Sequence, residues 1–334
     1  MSSIGDVLMA TPVARALREA FPQAHLTWAI DRRCADVVEG NPYLDDLLVT
    51  QRDSWQLVDL LSYWTQTRRH PAFDWTIDLH GLARSALVTL ASRAPVRVGL
   101  ANAREGSRLA YNRVVQPPPT AVHRVDFYAA ALEEIGIPVP HREMLLPCGP
   151  EHAAAARALL TEAAPGPGPL VALSLTAGRM QKCWLVERFA ALADRLIARH
   201  GCRVVVLGSA ADRPYVQRMQ AAMEQQAADL SGRIDLKVAA EVLRACALFV
   251  SADTGPMHIA AAMKTPTVAL FGPTEPEYYG PYGTVHTIIR HHCRCAPHWR
   301  RPVCQERECM RAITVEEVEA AAVALLARAS APQQ

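Results

Sequence analysis

The residues between Asp253 and His258 have the types and spacing of an anion-binding turn. An apolar segment ends just before Asp253, and a tight turn through Thr254 and Gly255 leads into the next helix. Amides at a helix start have no intrahelical partner, and the helix dipole adds positive potential there. Thr254 would add a hydroxyl donor, and His258 lies one turn further on. The alternatives are that Asp253 caps the helix and that His258 is a packed side chain.

A second candidate is a cation in the segment Ser174–Phe189, which also runs from a strand end through small residues to a helix. Lys182 stands just before that helix and could neutralise a diphosphate as a point charge. Arg179 is the competing candidate, and either cation could instead be a solvated loop residue. Because the carboxyl ends of parallel strands share one edge of a sheet, both loops are predicted to form one concave site.

Several motifs of other enzyme classes are absent from the sequence. It contains no G-x-G-x-x-G dinucleotide fingerprint, no G-x-x-x-x-G-K-[ST] phosphate loop and no G-x-S-x-G nucleophile elbow. No two aspartates are two residues apart, so the D-x-D pair of metal-dependent sugar-nucleotide transferases is missing as well. These absences exclude a P-loop enzyme and leave no dinucleotide fingerprint, and we expect no cofactor.

Alternating strand-like and helical segments must position these residues. In the first half, apolar runs such as His25–Ile30 and Asp74–Leu79 alternate with helical stretches, and the alternation restarts at Leu170. This pattern predicts an α/β fold with parallel sheets covered on both faces.

The segment Ala163–Pro169 divides the two halves. Its three prolines and two glycines cannot continue a helix or a central strand. We interpret it as a hinge between two Rossmann-like lobes, residues 1–162 and 163–334, with a cleft between them.

The chain opens on a polar loop, Ser2–Asp6, ahead of a helix predicted from Thr11. In an α/β lobe such a loop follows a buried strand, which residues 1–5 cannot supply. We therefore expect roughly eight to ten residues of apolar β type ahead of Met1. The alternative is a lobe that begins with the helix.

Composition excludes further classes. The 334 residues, 50% hydrophobic and 20% charged, fit two globular domains. A net charge of +2 gives no reason to expect a nucleic-acid partner. The sequence has no apolar run of the roughly 18 residues that a transmembrane helix needs, and no signal peptide is recognisable. These features favour a cytoplasmic protein, or one peripheral to the inner membrane.

Five of the nine cysteines are isolated and indicate reduced thiols. The other four, Cys293, Cys295, Cys304 and Cys309, stand among histidines with the density of a zinc knuckle. Cys293 and Cys295 are closer together than zinc ligands usually are, and no second C-x-x-C follows. The spacing therefore favours no metal, with zinc as the alternative.

Several segments together resemble the lipopolysaccharide heptosyltransferases, glycosyltransferase family 9. Besides the loop with Lys182, they are SSIGDVLMATP (Ser2–Pro12), DLHGLARSA (Asp78–Ala86), HRVDFYAAALEEIGIP (His123–Pro138), DTGPMHIAAA (Asp253–Ala262) and ALFGPTEPEYYGPYG (Ala269–Gly283). The resemblance covers nearly the whole chain and implies a GT-B fold with an inverting, metal-independent reaction. Members of the family begin with a strand of the type RILIVR, which is missing here.

The resemblance also implies roles. The donor would be ADP-L-glycero-D-manno-heptose, bound in the C-terminal lobe by Lys182, Asp253, Thr254, Gly255 and His258. The acceptor would be the lipid A-linked inner core, bound in the N-terminal lobe. The family's catalytic carboxylate matches Asp6, which would take the proton of the acceptor hydroxyl as it attacks the anomeric carbon.

Arginines at loops and helix ends of the N-terminal half could bind the carboxylates and phosphates of such an acceptor: Arg84, Arg104, Arg108 and Arg124. Each could instead be an ordinary surface residue. The alternatives for the whole chain are a family 9 transferase for another nucleotide sugar, a sugar-nucleotide epimerase of the same fold, and a noncatalytic protein that still binds a nucleotide sugar.

Overall fold

The structure, a computed structural model of the chain, describes residues 3–50, 57–292 and 306–330. Contacts within the chain divide it into two compact units, Met1–Pro147 and Cys148–Gln334. We call them the first unit and the second unit. None of the described helices is both long and apolar enough to cross a lipid bilayer.

In its described residues, the first unit contains two separate parallel sheets. One sheet pairs β1 (Thr27–Asp31) with β2 (Asp46–Thr50), and the other has the order β3-β4-β5 (Trp75–Asp78, Val96–Leu100, Arg113–Val115). The helices of this unit are α1 (Ile4–Ala20), α2 (Leu57–Arg69), α3 (Ala83–Ala91) and α4 (Arg124–Glu133).

The second unit contains one six-stranded parallel sheet with the order β11-β10-β9-β6-β7-β8. Its strands are β6 (Leu170–Ser174), β7 (Arg203–Leu207), β8 (Ala228–Asp229), β9 (Leu248–Ala252), β10 (Thr267–Phe271) and β11 (His286–Arg290). Its helices are α5 (Pro150–Ala163), α6 (Val186–His200), α7 (Arg213–Ala221), α8 (Leu236–Ala245), α9 (Gly255–Ala262), α10 (Pro276–Tyr279), α11 (Glu308–Ala312) and α12 (Val315–Ser330).

The predicted α/β fold with parallel sheets is confirmed, and burial explains why its strands are so apolar. All residues of the central strands β6, β9 and β10 are buried, as expected for a parallel sheet with helices on both faces. Phe189 and Leu192 of α6 pack into the same core. That helix ends at Gly201, whose φ of 61° is the left-handed conformation that glycine adopts without strain.

The unit boundary falls between Pro147 and Cys148 and so lies ahead of the predicted boundary at residues 162 and 163. The physical reason is α5, which ends where the Pro-Gly segment begins and packs against α8. The Pro-Gly segment therefore connects α5 to β6 within the second unit.

The prediction of a loop over Ser2–Asp6 and a helix start at Thr11 is wrong, because α1 already begins at Ile4. Ser3 is its N-cap: the Asp6 amide donates to Ser3 Oγ at 3.2 Å, and that hydroxyl donates to the Asp6 carboxylate at 2.7 Å. Pro12 lies inside the helix and has no amide to donate to Leu8. The Thr11 hydroxyl donates to the Leu8 carbonyl instead, at 2.7 Å.

Candidate functional site

Lys182 and Asp253 meet at the carboxyl edge of the second unit's sheet. Lys182 Nζ donates to Asp253 Oδ2 at 2.6 Å. The Lys182 side chain is 20% exposed and that of Asp253 only 8%. Because both side chains are largely buried, solvent and salt screen this ion pair only weakly. The sheet edge therefore holds one cation in a fixed place.

The strand order explains how two distant loops converge. β6 pairs with β9 in parallel, with Ser174 opposite Ser251. The loop after β6 leads to the 3₁₀ turn Met180–Lys182, and the turn after β9 carries Asp253. The parallel pairing of β6 with β9 thus explains why both loops lie at one edge of the sheet.

The turn after β9 starts α9 without a side-chain cap. Thr254 is the N-cap residue, with φ of −153°, and its side chain makes no capping hydrogen bond. Asp253 does not cap the helix, because its carboxylate accepts from Lys182 instead. Gly255 supplies the first N–H of the helix, Pro256 has no amide proton, and the Met257 amide donates to the Thr254 carbonyl at 3.1 Å. A hydroxyl and an amide thus follow directly in the chain after Asp253, the residue that binds Lys182.

His258 lies in the second turn of α9 and is 4% exposed. This burial agrees with the alternative interpretation, in which His258 is a packed side chain. Arg179, the competing cation, is exposed, whereas Lys182 is half-buried. The geometry therefore favours Lys182 over Arg179 as the fixed positive charge.

Further polar residues at the same sheet edge were missed by the sequence analysis. Thr176 follows β6 and donates its hydroxyl to Asp212, which follows β7, at 2.7 Å. Glu275 follows β10 and forms a bidentate ion pair with Arg290, with both distances 2.9 Å. Thr274 is 2% exposed, and its hydroxyl has no hydrogen-bond partner among the described residues. Thr176, Asp212, Thr274 and Glu275 all lie in the connections that follow strands, and this position was the signal that could have found them.

In the first unit, Asp6 lies half-buried in the first turn of α1. An acidic side chain in the first turn of a helix interacts favourably with the helix dipole. Asp6 also acts on His80, whose pKa burial lowers to about 4, while the charges of Asp78 and Asp6 oppose that change. His80 is thus a neutral imidazole near the carboxylate at physiological pH.

Asp78 organises the loop that carries His80. Its Oδ1 accepts from the amides of His80 at 2.9 Å and Gly81 at 3.0 Å. Its Oδ2 accepts from the Tyr111 hydroxyl at 2.6 Å. Burial and the neighbouring Asp78 charge raise the Tyr111 pKa, so the phenol stays a donor. The buried network holds this loop in a defined shape.

Three of the four predicted acceptor arginines lie on neighbouring elements. Arg84 is in the first turn of α3, and α3 contacts the 3₁₀ turn Ser107–Ala110 that carries Arg108. The Arg104 amide donates to the Gly81 carbonyl at 2.8 Å, just ahead of α3. Arg124 begins α4, where its guanidinium lies 5.1 Å from the centre of the Phe127 ring.

The predicted cysteine cluster lies mostly outside the described residues. Cys293, Cys295 and Cys304 belong to that part of the chain, whereas Cys309 is described and is 2% exposed in α11. Within residues 3–50, 57–292 and 306–330, no three or more histidine, cysteine or acidic side chains are grouped as a metal site.

Two parallel α/β units, one of them with a fixed cation and a helix start at its carboxyl edge, have the plan of the GT-B glycosyltransferases. A family model matches residues 63–309, and the chain belongs to the family that it describes, glycosyltransferase family 9 (heptosyltransferase). The resemblance seen in the sequence is thereby confirmed.

Individual relatives agree with this assignment. The chain is 29% identical over 330 residues to lipopolysaccharide heptosyltransferase 1 of Pseudomonas aeruginosa, covering 95% of this chain and 87% of that protein. A family 9 glycosyl transferase structure from Veillonella parvula superposes with a TM-score of 0.84 at 25% identity, covering 98% of this chain and 95% of that one. The ADP-heptose LPS heptosyltransferase II of Escherichia coli gives 0.79 at 24% identity, covering 99% and 98%.

Proposed function

We propose that this chain transfers a heptose from ADP-L-glycero-D-manno-heptose to the inner core of lipopolysaccharide, with inversion at the anomeric carbon. The observation that carries the proposal is the Lys182–Asp253 pair beside the uncapped start of α9. Relatives along nearly the whole chain are named as heptosyltransferases, and one named structure specifies ADP-heptose.

The second unit would bind the donor. In the reaction ADP leaves, and its diphosphate gains negative charge as the glycosidic bond breaks. Lys182, the Thr254 hydroxyl and the Gly255 amide are donors placed to stabilise that charge. The buried His258 of α9 would be part of the same donor site. Asp253 would hold Lys182 in position, because its carboxylate fixes the ammonium group in the absence of the donor.

The first unit would bind the acceptor. Asp6 would accept the proton of the attacking hydroxyl, a role that needs an ionised carboxylate. Asp6 lies in the first turn of α1, where its charge interacts favourably with the helix dipole. Arg84, Arg104 and Arg108 could bind the phosphates and carboxylates of the core, and Arg124 could add a further contact.

We infer that the reaction proceeds without a metal. The donors of the second unit would offset the charge of the diphosphate as a divalent ion does in other transferases. A lipid-linked acceptor would further require the protein to work at the inner face of the membrane, as a cytoplasmic or peripheral protein.

Calorimetric titration with ADP-heptose tests the donor site. Lys182→Ala should weaken binding about tenfold or more, since a charge-assisted contact contributes roughly 1.5–3 kcal/mol. Arg179→Ala is the matched control, because it removes an exposed cation from the same loop. We expect this variant to bind ADP-heptose with the affinity of wild type. Equal affinity of wild type and Lys182→Ala would show that Lys182 does not bind the diphosphate.

A further inference from the structure

We propose that Arg307 is a positioning residue for the donor site. From the start of α11 it holds the 3₁₀ turn Met180–Lys182 and thereby fixes where the Lys182 ammonium group stands. Because the donor role of Lys182 is itself proposed, this positioning role rests on the proposed function. Arg307 acts through the turn and makes no contact with the donor itself.

The turn that carries Lys182 has little packing of its own. None of its three residues is buried, and Met180 is 50% exposed. A cavity of about 280 Å³ lies beside the turn, and Met180, Cys183 and Arg307 are among the residues that line it. Since few packed side chains restrain a segment of this kind, its position depends on its hydrogen bonds.

Local hydrogen bonds shape the turn. The Lys182 amide donates to the Arg179 carbonyl at 3.0 Å, and the Cys183 amide donates to the Met180 carbonyl at 3.1 Å. The Cys183 sulfur accepts from the Ala177 amide at 3.2 Å. These bonds join residues of the same short segment, so they define its shape but do not attach it to the rest of the second unit.

Arg307 supplies an attachment from another element. Its Nη1 donates to the Cys183 carbonyl at 3.3 Å and to Met180 Sδ at 3.6 Å. Met180 and Cys183 lie on either side of Lys182 in the chain, so one guanidinium group holds both ends of the turn. The guanidinium group is permanently charged, which strengthens its bond to a carbonyl oxygen.

The backbone of Arg307 is in the left-handed conformation, with φ of 51°. A residue with a Cβ persists there only where its surroundings hold it, and such residues cluster at functional sites. Glycine would adopt the same conformation without strain. An arginine at this position is therefore explained by what its side chain does.

The helix that carries Arg307 is itself well anchored. Trp184, which directly follows the turn and Cys183, donates its Nε1 to the Ile313 carbonyl just after α11, at 3.0 Å. Met310 of α11 packs closely against Gly272 at the end of β10, where an added Cβ would clash with the methionine side chain. The helix is thus fixed to the core of the second unit, and Arg307 can transmit that fixed position to the turn.

Calorimetric titration of the full chain with ADP-heptose tests the proposal. Arg307→Gly removes the guanidinium group without backbone strain, and we expect a several-fold rise in Kd, because the turn must then be ordered on binding. Arg311→Ala removes an exposed cation from the same helix and should bind as wild type. In a Lys182→Ala background, Arg307→Gly should raise Kd no further. An equal rise in both backgrounds would show that Arg307 contacts the donor directly and would overturn the positioning role.

Hydrogen exchange of the chain without donor provides a second readout. The amides of Lys182 and Cys183 should exchange at least about threefold faster in Arg307→Gly, whereas the amides of β6 should exchange as in wild type. Unchanged exchange together with normal binding in Arg307→Gly would overturn the proposal while leaving the donor site intact. Unchanged binding by Lys182→Ala would instead overturn the proposed donor site, and the exchange rates alone would then decide whether Arg307 positions the turn.

Discussion

Asp253 holds Lys182 in place across 71 residues of sequence, with 2.6 Å between carboxylate oxygen and ammonium nitrogen. The two residues come from the connections after β9 and β6, which adjoin because those strands pair. The proposed donor site thus depends on the sheet register as much as on the residues themselves.

Replacing Asp253 by Asn should weaken ADP-heptose binding although the aspartate itself repels a diphosphate. Without its carboxylate partner, the Lys182 side chain samples other rotamers. Ordering that side chain on binding then reduces the binding free energy. We expect a several-fold rise in Kd by calorimetry. Asp235→Asn, which alters the N-cap of α8, is the control and should leave Kd unchanged. Tighter binding by Asp253→Asn would show that charge repulsion outweighs positioning.

Asp6→Asn should lower kcat by about 10²–10⁴-fold while leaving the affinity for ADP-heptose near that of wild type. A general base acts on the acceptor proton in the transition state, so donor binding does not need it. Ser3→Ala is the control, since it removes the N-cap hydroxyl that donates to Asp6 but keeps the carboxylate. Substantial transfer by Asp6→Asn would assign the base to another residue.

The free energy of unfolding should fall as pH drops from about 6.5 to about 4. Burial lowers the His80 pKa to about 4 in the folded chain, whereas an unfolded histidine titrates near 6.5. Between these values only the unfolded chain takes up the proton, so the loss approaches about 1.4 kcal/mol per pH unit. Denaturant titrations of His80→Gln should show a flatter pH dependence than those of wild type. The exposed His141→Gln should behave as wild type, and an unchanged slope in His80→Gln would contradict the assignment.

Gly99→Ala should destabilise the first unit. A Cβ at Gly99 would clash with the Tyr111 ring, which must then move and strain its hydrogen bond to Asp78. We expect a loss of about 1–3 kcal/mol in the free energy of unfolding by urea titration, as for other overpacked sites. Gly178→Ala, which meets nothing within 4 Å, is the control. Equal stability of the two variants would mean that the ring adapts without cost.

Most of the fold could be predicted from the sequence, because the periodicity of apolar residues involves only residues that are near one another in the chain. Alternating apolar runs and helical stretches indicated parallel α/β sheets, and the alternation restarts at Leu170, where β6 begins. The start of α1 was not predictable, because the polar segment Ser2–Asp6 is typical of a loop and apolar residues at helical spacing begin only at Thr11. The Ser3 cap and the hydrogen bond of the Thr11 hydroxyl are invisible to pattern analysis. The boundary between the two contact units differs from the predicted one for a similar reason: the Pro-Gly segment is visible in the sequence, but the packing of α5 on α8 is a tertiary contact.

The candidate site was predictable in its residue types but not in its pairings. Lys182 and Asp253 were both identified, yet their ion pair follows from the order of β6 and β9 in the sheet. Asp212 and Thr274 were missed, because a single polar residue after a strand is common. Only the hydrogen bond from Thr176 distinguishes Asp212, and only burial distinguishes Thr274. Register and burial are properties of the folded chain, which explains why the sequence could not supply them.

The most direct measurement of the central claim is product analysis with the full chain, ADP-L-glycero-D-manno-heptose and a heptose-deficient lipid A-core acceptor. Mass spectrometry of the acceptor and quantification of released ADP follow the same reaction. The account predicts an acceptor that gains one heptosyl unit, one ADP released per transfer, and loss of both signals in Lys182→Ala and Asp6→Asn. An unmodified acceptor with intact ADP-heptose, or transfer of a different sugar in preference to heptose, would contradict it.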